Sequence, residues 1–166
     1  MAITGNSPLY ALLNEINMSA AKCPMLAIGM TVALPDICVS LASEDGRTNG
    51  ERYKKWCADN LTKYFDFVTP DDLWSMRCGL LHNGRVGDLK HTVSGVIFVP
   101  PNPILSAVNS KINGAYAYNV VDFCRNFCDL AFDWLEANLS DKNVITNLPR
   151  LMQYRDDIVP GVTVLA

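Results

Sequence analysis

The chain has 166 residues, of which 49% are hydrophobic and 19% charged, with a formal net charge of −3. That length suffices for one domain with a proper core spanning residues 1–166, and the acidic balance excludes a broadly basic nucleic-acid surface while leaving a local basic site open. No apolar run approaches the ~20 residues that span a bilayer, and Met1-Ala2-Ile3-Thr4-Gly5-Asn6 lacks the charged and apolar regions of a signal peptide, so a cytoplasmic protein without membrane contact is expected.

Ser7-Pro8 opens a first helix with Leu9, Leu12, Leu13 and Ile16 on one face, ending near Ala21 before Cys23-Pro24. Residues 25–41 are apolar almost throughout, which predicts a central helix buried on most sides. Pro35 should kink or break it near Leu34. Asp36 lies inside this apolar segment and either caps a helix restarted after the kink or serves as the buried partner that Arg77 requires. Residues 43–50 form a polar loop, and Thr48-x-x-Glu51 reads as a capping box for a third helix to about Tyr64. Tyr53, Trp56, Cys57 and Leu61 supply its apolar face, and Lys54, Lys55 and Lys63 its solvated face.

A fourth helix is marked at both ends and should run over residues 70–83. Thr69 can cap it, Pro70 fits its first position, Asp71 and Asp72 face the positive end of the helix dipole, and Gly84 after Asn83 suits a left-handed C-terminal cap. On a wheel with Arg77 at 0°, Leu73, Leu80, Leu81 and Trp74 fall between about 300° and about 60°. Arg77 is then expected in the middle of an apolar face. There it requires a carboxylate, a facing subunit or an anionic ligand, because an unpaired buried charge is strongly destabilising. His82 falls beside Cys78 on the edge of the polar face.

Residues 85–91 read as a loop, with His91 a loop histidine. Residues 93–99 have strand composition and are stopped by Pro100-Pro101-Asn102-Pro103. Residues 104–113 are ambiguous and suit a short helix. Residues 115–120 suit a second strand, giving a small β-hairpin-like insert around residues 92–120. The helical period returns over residues 121–138, where Phe123, Phe127, Leu130 and Trp134 form a stripe widened by Cys124, Cys128, Ala131 and Leu135. Ser140 can cap a last short helix through Leu148, stopped by Pro149. The fold class expected is mainly α: a bundle of four to six helices with that small β insert.

The chain lacks a phosphate-binding Gly-x4-Gly-Lys-Ser/Thr loop, a Gly-x-Gly-x-x-Gly turn and a His-Glu-x-x-His pair. Its six cysteines include no Cys-x2-Cys spacing, so no metal and no cofactor are expected, and reduced, mostly buried thiols are. Cys78 and His82 stand one helical turn apart, where a nucleophilic pair or simple contact are both possible.

Arg77, four residues, His82, then Asn83-Gly84 resembles the Arg-x4–6-His motif of HEPN-domain proteins. The resemblance covers residues 73–84 in detail and the rest as a helical arrangement. It implies a HEPN-like helical bundle working as a homodimer, in which paired Arg77 and His82 form a metal-independent endoribonuclease site for an RNA substrate. It also implies a setting in toxin–antitoxin or phage-defence systems, with an antitoxin partner. Asn83 either orients substrate or terminates the helix. One departure is Cys78, where active family members often carry a polar residue after the arginine. The alternative reading is therefore a catalytically inactive HEPN-like dimer that binds RNA or nucleotides or acts as a regulatory module. An unrelated helical protein with Arg77 in a structural ion pair stands outside that family.

Overall fold

A computed structural model describes residues 7–61, 65, 68–85, 95–100 and 110–153. Its helices are α1 (Pro8–Ser19), α2 (Pro24–Ala42), α3 (Gly50–Asn60), α4 (Pro70–Asn83), α5 (Val120–Asn138) and α6 (Lys142–Asn147), with a 3₁₀ turn at Leu148–Arg150. Between α4 and α5 lie strands β1 (Gly95–Val99), β2 (Ser110–Ile112) and β3 (Ala115–Asn119). The fold is mainly α with a small sheet, as the sequence pattern indicates. Lys63, His91 and the tail from Tyr154 lie outside the described residues.

The bundle is built round α2, which packs against α1, α3, α4, α5 and α6. Contrary to the expectation that no apolar run approaches a bilayer span, this helix is long and apolar enough to cross a membrane; half of its most apolar window is buried in the fold, as in a core helix. It runs unbroken through Pro35, so of the kink or break expected near Leu34 the break does not occur. The reason is tertiary: Val32, Leu34, Pro35, Cys38 and Leu41 are all buried. The Tyr53 hydroxyl on α3 donates to the Val32 carbonyl at 2.9 Å, in the turn that the proline weakens.

Side chains of α6 satisfy the C-terminal carbonyls of α2. Asn147 Nδ2 donates to the carbonyls of Ser43 at 2.9 Å, Leu41 at 3.1 Å and Ser40 at 3.4 Å, and Asn143 Nδ2 donates to Ala42 at 3.0 Å. Arg150 in turn donates to the Asn147 side-chain oxygen at 2.9 Å.

The sheet has the order β1-β3-β2, and it is not the simple hairpin expected of residues 92–120. β1 and β3 run parallel, an arrangement that no tight turn can connect. The hairpin is instead β2–β3, closed by Asn113 and Gly114, both at positive φ as a two-residue turn of this hand requires. Residues 110–112, read above as part of an ambiguous helix, are thus a strand. Phe65, Phe98, Tyr118, Phe123 and Phe127 form a continuous aromatic cluster that ties the sheet to α5.

Two caps differ by one residue from expectation. Asn49, not Thr48, caps α3 by accepting from the Arg52 N–H at 2.9 Å. A Cβ on Gly50, the first residue of α3, would stand 3.0 Å from Trp74, so this glycine allows the close approach of α3 to α4. Asp141, not Ser140, caps α6 through the N–H groups of Asn143 and Val144.

Candidate functional site

The site is carried by α4, whose two ends are fixed by its own sequence. Thr69 accepts from the Asp72 N–H at 3.1 Å, and the Asp72 carboxylate accepts from the Thr69 N–H at 3.4 Å, a reciprocal box with Asp72 fully buried. At the other end Gly84 adopts φ +64, and the N–H groups of Gly84 and Arg85 return to the carbonyls of Leu80 and Gly79. The last turn, with His82 and Asn83 exposed on it, is therefore a finished helix end.

The buried face of α4 is not the one expected. Asp72, Leu73, Met76 and Gly79 are buried, Leu80 is half-buried and Leu81 is 44% exposed. The face is centred on Met76, about 100° round the helix from Arg77. Arg77 sits on its flank, with its side chain 19% exposed. The cause is packing from both sides, because α4 contacts α2 and α3 together, and Met76 is fully buried.

Arg77 nevertheless requires a partner, and α2 supplies it. Arg77 Nε donates to Asp36 Oδ2 at 2.6 Å, and the Asp36 side chain is only 10% exposed. Asp36 is thus the ion-pair partner and not the cap of a restarted helix, since no restart occurs at Pro35. Burial works against the Arg77 charge, but the hydrogen bond and charge of Asp36, joined by Cys78, hold Arg77 above its ordinary pKa. The guanidinium carbon also lies 5.1 Å from the centre of the Trp74 ring. Trp74 itself packs on Tyr53, with ring centres 5.1 Å apart, and against Gly50.

Arg77 and His82 come together within one chain. Arg77 Nη1 lies 3.4 Å from His82 Nε2, at the solvent-facing end of the helix. No hydrogen bond joins Asn83 to either residue among the described contacts; Asn83 is the exposed last residue of the helix. Nor does a hydrogen bond join Cys78 to His82. Cys78 is half-buried beside Arg77, and all six cysteines are unpaired. Lys54 and Lys55 bind Asp71 and Asp59, as a solvated face does.

Sequence reasoning placed Trp74 only in an apolar arc and missed it as the platform under Arg77. The i, i+3 spacing of an aromatic and an arginine on one helix was the available signal. The chemistry of the site is that of a fixed guanidinium and an exposed imidazole: anion binding by the first, proton transfer by the second. Comparison with known proteins returns no matching family model, no similar curated protein and no similar solved structure.

Proposed function

We propose that this chain is a HEPN-type, metal-independent endoribonuclease whose working form is a homodimer in the cytoplasm. The observation that carries the reading is the 3.4 Å approach of Arg77 Nη1 to His82 Nε2 at an exposed helix end. RNA brings its own nucleophile, the 2′-hydroxyl. One His82 takes the 2′-hydroxyl proton as that oxygen attacks phosphorus. The P–O5′ bond breaks, and the partner's His82 protonates the departing 5′-oxygen. The Arg77 guanidinium holds the non-bridging oxygens, whose charge grows in the transition state. One chain provides half of this set and a pair of chains provides base, acid and cations. Met25, Leu26 and Met30 on α2 and Leu81 on α4 are exposed apolar side chains that a second copy would cover. On this reading a toxin or phage-defence role with an antitoxin partner is the natural setting. The second reading, an inactive dimer that binds RNA or nucleotides or regulates, is favoured by Cys78, a weakly polar residue lying half-buried directly after Arg77.

The test is a panel of single-stranded RNAs incubated with purified protein and chelator, with light scattering on the same sample. The expected result is a dimer that leaves 2′,3′-cyclic phosphate ends, and a His82→Ala variant slower by about 10²–10⁴-fold. Cleavage abolished by chelator, or unchanged in His82→Ala, overturns the reading. RNA binding without cleavage favours the second.

A further inference from the structure

We infer that Asp36, 41 residues upstream of Arg77, is a positioning residue: it holds the Arg77 guanidinium by Nε and so leaves both Nη groups to His82 and an incoming phosphodiester. The inference rests on the ribonuclease reading, but its geometry is independent of it. A carboxylate can grip a guanidinium through the two Nη groups or from the side through Nε. Only the second mode keeps the terminal nitrogens for another anion. Here the contact is from the side, a single 2.6 Å bond from Nε to Oδ2. Nη1 faces His82, Cys78 lies beside the guanidinium, and among the described residues no hydrogen bond runs from either Nη group to Asp36.

A second constraint of a different kind acts on the same group. Trp74 lies under the guanidinium, and Tyr53 and Gly50 back that ring from α3. Asp36 thus fixes one edge and Trp74 one face. A free arginine side chain samples many rotamers, whereas one held in this way meets substrate in a single orientation.

Stability does not account for Asp36. Its other oxygen, Oδ1, is buried without a hydrogen-bond partner. A carboxylate serving the core would have both oxygens satisfied, and a buried ion pair is commonly no more stabilising than apolar side chains of the same size. Asp36 also caps no helix, since α2 runs through it. What the carboxylate does achieve is the placement of Arg77 beside His82.

Three variants of the full chain test this: Asp36→Ala, Asp36→Asn and Asp36→Leu. Cleavage kinetics are read together with the affinity for a 2′-O-methyl RNA oligonucleotide, which lacks the nucleophile and cannot be cleaved. Asp36→Ala, folded by circular dichroism, should lose about 10²-fold in kcat, the scale of a misplacement near 1 Å. Asp36→Asn, which retains an oxygen to accept from Nε, should recover most of it. In an Arg77→Ala background Asp36→Ala should bring no further loss. Where Asp36→Ala melts below the assay temperature, Asp36→Leu, which fills the vacated space, carries the same comparison. A folded Asp36→Ala or Asp36→Leu with the parent kcat and KM overturns the inference. A parent that cleaves nothing removes the ribonuclease reading alone. In that case a weaker hold on the uncleavable RNA in Asp36→Ala, restored in Asp36→Asn, supports the inference, and equal affinities overturn it. A parent that neither cleaves nor binds RNA overturns both.

Discussion

Replacing Arg77 by methionine separates its structural from its chemical role. The change removes the Nε donor and leaves Asp36 a buried carboxylate with neither oxygen paired, since Oδ1 already lacks a partner. Breaking a fully buried pair costs roughly 3–5 kcal/mol. Here the two side chains are 19% and 10% exposed, which admits some water. An estimate of about 2–4 kcal/mol follows for Arg77→Met, or a fall in Tm of roughly 5–15 °C for a chain of this size. The double variant Asp36→Leu/Arg77→Met removes the stranded charge and should return to within about 1 kcal/mol of the parent. Urea denaturation of the four members of the cycle measures this directly. The reasoning fails if Arg77→Met lies within about 0.5 kcal/mol of the parent, or if the double variant is no more stable than the single.

Asn147→Ala removes the amide that reaches the carbonyls of Leu41, Ser43 and Ser40 at a site only 5% exposed; Ser40 keeps Ser43 as a donor, so the loss should be about 1–3 kcal/mol in urea titrations, and one below about 0.5 kcal/mol would show that water replaces the amide. Thiol reagent at neutral pH should modify the exposed Cys23 first and the half-buried Cys78 more slowly, with Cys38, Cys57, Cys124 and Cys128 reacting only on unfolding. The same burial makes the fold sensitive to alkali. Desolvation pushes the Cys128 thiol up from 9.0 to about 12, and raises Cys38 and Cys57 as well. The unfolded chain therefore releases these protons first, so their contribution is intact below pH 9.0 and lost as pH rises toward about 12. Melting temperatures flat across that window would contradict it.

The limits of α4 were legible because the signals are local: Pro70 and Thr69 at one end, and Gly84, which must turn left-handed, at the other. The core stripe of α5 was legible for the same reason, as its period is its own. What failed to show were features decided between elements. A helical wheel places Arg77 among leucines, but it cannot say that α4 packs on both α2 and α3 and so buries Met76 and leaves Leu81 out. Pro35 reads as a break until the buried Tyr53 hydroxyl is seen on the Val32 carbonyl. The parallel pairing of β1 with β3 is equally invisible, because strand composition carries no direction. The meeting of Arg77 with His82 was not legible from spacing, which puts them about 140° apart on a wheel, and was expected only from the family resemblance. Asp36 was open to two roles in the sequence, and the choice between them depended on how α2 packs against α4.

The grip of α6 on the end of α2 imposes a timetable on the nascent chain. The ribosome has made Asp36, Arg77 and His82 well before it makes Asn143 and Asn147, the two residues that close the C-terminal end of α2. At about 5–20 residues per second, the stretch from His82 to Asn147 takes roughly 3–13 s to synthesise. During that interval the end of the helix bearing Asp36 lacks the side-chain donors of α6, and Leu135, Val144 and Leu148 are still missing from the core. On the ribonuclease reading, every reacting group is therefore made before the residues that close the end of the helix bearing Asp36.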